Sequence, residues 1–205
     1  MPEFCENPEL IHINKIHSFF RADFKADYAF VGERHDWWEM VFVISGKVGI
    51  TADSDIYTLE KGQAVIHRPN EFHQIRTESS AVPTVIVISF STEKFPEPQG
   101  RIFSLELSQT EEIQNLYELS FKCFEREGIY VKKSPEDTSF TMQQLWCRLE
   151  LLVFSVVFGS ALSKIPQKTK GLRSAELYSS AVKFMEQNLS SGCSTEDIAA
   201  SVSIS

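Results

Sequence analysis

From about Ile11 to Phe90 the chain alternates short apolar runs with polar breaks. The runs "YAFVGE", "EMVFVIS", "KVGITA", "DIYTLE", "QAVIHR", "HQIRT" and "PTVIVISFS" are each of strand length and rich in β-branched and aromatic residues. Between them stand Ser45-Gly46, Asp53-Ser54-Asp55, Lys61-Gly62 and Pro69-Asn70, which accept a positive φ or pre-set a turn. Short strands at this rhythm predict an all-β sandwich or barrel.

After "FPEPQG" (Phe95–Gly100) the apolar spacing changes to three and four. Ile113, Leu116, Tyr117, Ser120, Phe121 and Phe124 then mark an amphipathic helix over Ser108–Glu127, with Ser108 or Thr110 as its N-cap. A second helix is expected over Thr138–Lys164. Its apolar surface, with Leu145, Leu149, Leu152 and Val156 in one stripe and Trp146, Val153 and Val157 in the next, is wider than a single sheet contact requires.

"KIPQKTKG" (Lys164–Gly171) reads as a solvated linker. Beyond it, Ala181, Val182, Phe184 and Met185 supply a helical face ending at Asn188. Ser194 or Thr195 can cap a short helix through Val202, whose N-terminal dipole Glu196 and Asp197 complement. Ser203 or Ser205 could cap a further helix. The expected organisation is a β domain over 1–107, a helical arm over 108–165, a linker over 166–173 and an incomplete helical unit over 174–205.

The 42% hydrophobic content of the 205 residues supports a packed core. Against 20 basic residues stand 28 acidic ones, a formal charge of −8, so the chain as a whole is not a nucleic-acid clamp. Cys5, Cys123, Cys147 and Cys193 form no CxxC pair and read as free thiols of a cytoplasmic protein. The first ten residues lack the features of a secretory signal. The most apolar stretch, Leu149–Leu162, contains Glu150 and is too short to span a bilayer, so no membrane association is expected.

Two clusters in the β region carry candidate chemistry. The first is Glu33-x-His35-x3-Glu39-x6-Gly46; the second runs Gly62-x5-Arg68-Pro69-Asn70-Glu71-Phe72-His73. Two imidazoles and two carboxylates can bind a borderline or hard divalent metal, or serve as the polar wall of a pocket. Trp37 and Trp38 alternate across a strand, so at most one faces that pocket, where it either stacks on a ligand ring or serves core or dimer packing. His67 reads as interior-facing without a role, and His12 and His17 as structural or surface residues.

In spacing, this pair of clusters resembles the two motifs of the cupin superfamily. Glu33 stands where the family has its first His, Arg68 where it has Pro, and Asn70 where it has Gly; Asn too tolerates the left-handed turn. The resemblance implies a double-stranded β-helix (jelly-roll) barrel followed by α-helices. In metal-dependent members a divalent ion lies at positions matching Glu33, His35, Glu39 and His73, with His35, Glu39 and His73 conforming to the family pattern. No cofactor is certain, and a divalent metal is compatible with the residues.

The order of parts resembles the AraC family of bacterial transcription regulators. "RHDWWEMVFVISGKVGITADSDIYTLEKGQAVIHRPNEFHQI" is similar to that family's sensor domain. "AVKFMEQNLSSGCSTEDIAASVSIS" is similar to the opening of its helix-turn-helix DNA-binding domain, with Ile198 and Ala199 matching an "IA" core pair and Ser205 the start of the recognition helix. This implies a shortened form, engineered or natural, of a longer regulator. DNA would then be met by the missing C-terminal part and by no residue within this chain.

Further expectations follow from the resemblance. Glu33, His35, Trp37, Glu39 and His73 would contact a small-molecule effector, the chain would be no enzyme, and the wide surface of Thr138–Lys164 would serve a homodimer unless it packs on the barrel and first helix. A metal-dependent cupin enzyme (an isomerase or dioxygenase) and a stand-alone dimeric small-molecule-binding protein are the alternatives.

Overall fold

The computed structural model describes residues 11–78, 82–134, 138–159, 180–181, 183–188 and 192–202. Ten antiparallel strands form two sheets: β1 (His12–Asp23), β2 (Trp38–Ser45), β3 (Lys47–Ala52), β4 (Asp55–Glu60), β5 (Gln63–His67), β6 (His73–Thr77), β7 (Thr84–Lys94), β8 (Ile102–Ser104), β9 (Phe124–Glu127) and β10 (Tyr130–Lys133). Seven lie in the order β8-β5-β2-β7-β1-β10-β9 and three in the order β4-β3-β6.

The large sheet is apolar on both faces, which explains why β2 and β7 read as nearly continuous apolar runs. Val41, Val43, Val85 and Val87 point toward the small sheet and pack with Val48, Ile50 and Leu59. Their neighbours Met40, Phe42, Ile86, Ile88 and Phe90 point the other way, against helices α1 (Leu107–Ser120) and α2 (Ser139–Phe154). At roughly 1.5–3 kcal/mol per fully buried side chain, these two layers dominate the stabilising side of folding.

The turn chemistry matches the sequence expectation. Gly46, Gly62, Asp53 and Asn70 all have positive φ, and Asn70 (φ 62°) takes the left-handed conformation expected of it. "YAFVGE" departs from expectation. It forms no strand, only isolated bridges at Ala29↔Arg76 and Glu33↔His73.

Three helical expectations need correction. The helix drawn over Ser108–Glu127 spans Leu107–Ser120, and its N-cap is Glu106, in a reciprocal capping box with Gln109. Beyond Ser120, Phe124–Glu127 pairs with Tyr130–Lys133 around Gly128 (φ 63°), so tertiary pairing at the sheet edge overrides helical spacing. The second helix ends at Phe154 and continues as one π-helical turn, Ser155–Gly159. Its two stripes are not free for a partner: Leu145, Leu149, Leu152, Val153, Val156 and Val157 are buried within this chain, and Trp146 donates to the Ile13 carbonyl at 2.6 Å. The outer face carries Phe140 (85% exposed), Cys147 and Leu151 (68% exposed).

Toward the C-terminus, residues 183–187 are helical, and α3 (Thr195–Ser201) is capped by Ser194, whose Oγ accepts from the Asp197 N–H at 3.1 Å. The linker expected at Lys164–Gly171, Val182, Ser203 and Ser205 lie outside the described residues. No described helix is long and apolar enough to cross a membrane.

Candidate functional site

The site begins as a row across the sheet. Ser18 pairs with Ser89, Ser89 with Glu39 and Glu39 with His67, so β1, β7, β2 and β5 each place one polar residue at the same level. Ser18 Oγ and Ser89 Oγ lie 2.7 Å apart, and the Ser89 hydroxyl donates to Glu39 Oε2 at 2.8 Å. Glu39 is thus a buried carboxylate with one oxygen fixed and the other free to face the cavity.

Opposite this row, Glu33 and His73 exchange two backbone hydrogen bonds of 3.0 Å, which set their side chains side by side. Glu33, His35, Glu39 and His73 each offer a ligand atom, and these four atoms lie within 4.8 Å of one another. His73 Nε2 is 3.4 Å from Glu39 Oε1 and 3.8 Å from Glu33 Oε1; His35 Nε2 is 3.6 Å from Glu39 Oε2. The fold therefore assembles all four residues that the motifs single out, Glu33 included.

Both histidines are oriented alike. His35 Nδ1 donates to the Trp37 carbonyl at 3.1 Å and His73 Nδ1 to the Glu71 carbonyl at 3.0 Å. A carbonyl only accepts, so the proton sits on Nδ1, and a neutral ring presents its Nε2 lone pair to the centre of the cluster. Both Nε2 atoms are buried and, among the described residues, lack a hydrogen-bond partner. Nitrogen–oxygen separations of 3.4–3.8 Å are long for hydrogen bonds. They suit neighbouring ligands of one ion, with bonds of about 2.0–2.2 Å. The donor set fits a divalent metal.

Without an ion the same carboxylates hold a proton. Burial opposes charge on His73, but Glu33 and Glu39 outweigh it and push its pKa up to about 10. Burial likewise opposes charge on Glu39, yet the His35 and His73 imidazoles hold its carboxyl well below the usual range. The centre is a cation seat whichever cation fills it.

A second layer was missed in the sequence. His67, assigned no role there, stacks on His73 with centroids 4.5 Å apart, and burial pulls its pKa down. Glu71 accepts from the Arg68 N–H at 2.8 Å and pairs with Arg101. Burial notwithstanding, these partners and His67 hold its pKa at about 2. No short motif signals it, because the facing of Glu39 and His67 arises only from the pairing of their two strands.

The cluster occupies one part of a cavity of about 530 Å³ whose walls are mainly apolar, with Phe20, Phe24, Phe30, Val41 and Ile75 among them. Trp37 lines it, whereas Trp38 packs on Phe95 in the helix-side core. Of the two roles open to Trp37, stacking on a ligand ring is blocked: His17 covers one face at 4.3 Å and His35 the other at 4.6 Å, so a ligand meets only the indole edge. Trp37 fluorescence is therefore expected to change when an ion binds His35. Titrating Mn²⁺ into the wild-type protein and Trp37→Phe checks this, the variant binding the ion while losing that component of the signal.

Arg34 and Arg76, close in sequence to Glu33 and His73, do not line the cavity. Arg34 sits 3.7 Å from Asp53 and 3.4 Å from Glu186, and Arg76 bonds Glu78. The arginines that do line it are Arg21 and Arg126.

Comparison with known proteins bears on the β region. No curated protein matches the chain. Among solved structures it is similar to a protein of Pseudomonas aeruginosa described as glyoxylate-induced (11% identity, TM-score 0.39, 46% of this chain and 39% of that one). It is also similar to the Cupin_2 domain of an XRE family transcriptional regulator from Enterobacter cloacae (20%, 0.33, 40% and 83%). A third similar structure is apo ToxT, in a single-substitution form, from Vibrio cholerae (11%, 0.45, 94% and 72%). The chain thus spans well under half the length of the Pseudomonas protein. Residues 24–90 match the family described as Cupin_2, Cupin domain, and they hold Glu39, His67 and Ser89 of the sheet row, the four clustered ligand atoms and the turn at Asn70: the chain contains a cupin domain.

Proposed function

We propose that the cavity is the effector site of a ligand-responsive, sequence-specific transcription regulator of the AraC type, and that its four-residue cluster holds a divalent ion as part of that site. The observation carrying this reading is the joint one of two oriented, partnerless Nε2 atoms and a largely apolar cavity behind them. Such a cavity suits recognition of a small organic molecule. Glu33, His35, Glu39 and His73 would hold the ion, which would supply positive charge to a ligand's oxygen atoms. The similarity of "STEDIAASVSIS" to the start of a helix-turn-helix unit supports the regulatory part.

A physical route from cavity to helices exists. Arg34 lies between Glu33 and His35 in sequence and reaches Glu186 in the C-terminal helical segment. Movement of either cluster residue on ligand entry shifts the residue that touches that segment. The test is DNA binding by the full-length gene product and its dependence on the cavity, set out at the close of the Discussion.

Dimerisation belongs to the same proposal, with its surface moved to the outer face of α2. Leu151→Asp is expected to shift the protein from dimer to monomer in sedimentation, and an unchanged sedimentation coefficient would remove that face from the account. The metal-ready cluster also favours a second reading, a metal-dependent cupin enzyme. Turnover of a small substrate by the ion-loaded protein, lost on removal of the ion, would establish it.

A further inference from the structure

The cavity has a second charged feature that the cluster does not explain. Arg126, on β9, lines it beside Tyr117 and Phe121, with its guanidinium carbon 5.3 and 4.2 Å from their ring centres. Its Nη1 donates to the Phe19 carbonyl and its Nη2 to Ser120 Oγ at 2.6 Å, both neutral acceptors. Its Nε is buried and, among the described residues, has no hydrogen-bond partner. Among the described residues no carboxylate pairs with it, whereas Arg21, the other cavity arginine, faces Asp23 at 3.6 Å. Burial pulls its pKa down against Tyr117 and exposed Glu118, yet a guanidinium stays charged. Arg126 is only partly buried, so the cost falls on its Nε, a buried donor of a charged group left without an acceptor. Cation–π contacts with two rings offset only part of that cost.

We propose that Arg126 is the seat of a ligand carboxylate, and that the cavity takes a monocarboxylate with an apolar, arene-sized body lying against Phe20, Phe24, Phe30 and Ile75. The β9–β10 hairpin, with Gly128, Ile129 and Tyr130 on the cavity wall, carries the seat and forms part of the enclosure. A charge-assisted pair with Arg would distinguish an acid from its neutral analogue by about 10- to 100-fold. This inference rests on the cavity being a ligand site, and not on the binding of DNA.

The test compares 4-phenylbutyrate with 4-phenylbutan-1-ol by calorimetry on the purified chain at neutral pH. The wild type is expected to bind the acid at least tenfold more tightly than the alcohol. Arg126→Met is expected to bring that ratio close to one by weakening the acid more than the alcohol, and Arg126→Lys to keep part of it. Should Arg126→Met fail to fold by circular dichroism, the wild-type ratio and the Lys variant decide. Equal binding of acid and alcohol by the wild type, binding of neither, or an acid preference kept in Arg126→Met but lost in His73→Ala would overturn the proposal. No DNA enters the measurement, so failure of the carboxylate seat and failure of the regulator reading are separately visible.

Discussion

His73→Ala is expected to abolish divalent-ion binding and to destabilise the protein at the same time. The variant loses one of two oriented imidazoles and leaves Glu39, 8% exposed, with His35 as its remaining ion-pair partner among the described residues. Ion affinity should fall by at least about 100-fold, since even residues behind the ligands cost 10- to 100-fold when lost. Breaking a buried ion pair by removing one partner costs about 3–5 kcal/mol. The pH dependence has a definite sign. His73 titrates near 6.5 unfolded and about 10 folded, so its stabilising contribution is complete below about pH 6.5 and disappears as pH rises toward 10. Urea unfolding should therefore separate wild type from variant most at pH 6 and least near pH 10. Ion uptake expels the proton, so wild-type affinity for Zn²⁺ should rise about tenfold per pH unit between 7 and 9. A pH-independent affinity, or one unaffected by the substitution, would remove His73 from the ion's ligands.

Gly32→Ala is expected to damage the site without touching a polar group. Gly32 has φ 96°, and a Cβ there would lie 2.3 Å from Phe72 Cζ and 2.6 Å from Cε2. The backbone conformation alone costs an alanine about 1–3 kcal/mol, and the ring must also move. Gly32 precedes Glu33 and Phe72 precedes His73, the two residues joined by paired backbone hydrogen bonds. Relief of the clash therefore separates two members of the cluster. Thermal unfolding should show a drop of several degrees, accompanied by weaker ion binding. Gly128→Ala is the control: its φ is also positive, but nothing lies within 4 Å of the added Cβ. A similar loss of ion affinity in both variants would mean that the Phe72 contact does not position the cluster.

Much of the barrel was legible because strand chemistry is local. KVGITA, DIYTLE and HQIRT match β3, β4 and β6 residue for residue, each bounded by its own turn signal. The four cluster residues were legible through their spacing, while their actual contacts depend on strand register. The β9–β10 hairpin was not legible. Phe121 and Phe124 continue the helical spacing of Ile113 and Leu116, and only the unpaired edge of β1, which receives Tyr130 opposite Ser18, converts the segment to a strand. Arg126 was lost with it. His67 and Glu71 were overlooked for another reason: their role lies in packing behind His73, which no short motif records. Trp37 was placed on the correct side, but the covering of both its faces depends on His17, a residue distant in sequence.

The central claim is that occupancy of this cavity controls DNA binding. Footprinting of the full-length gene product on the DNA upstream of its gene tests it directly, using the wild type beside Val87→Phe. Val87 lines the cavity at the level of the apolar wall, and the larger ring fills space meant for a ligand. The account predicts that both proteins protect two half-sites and that whichever of 4-phenylbutyrate and 4-phenylbutan-1-ol binds the wild-type cavity alters the protection by the wild type while leaving that by Val87→Phe unchanged. Absence of any sequence-specific protection, or an identical response in the two proteins, would contradict it.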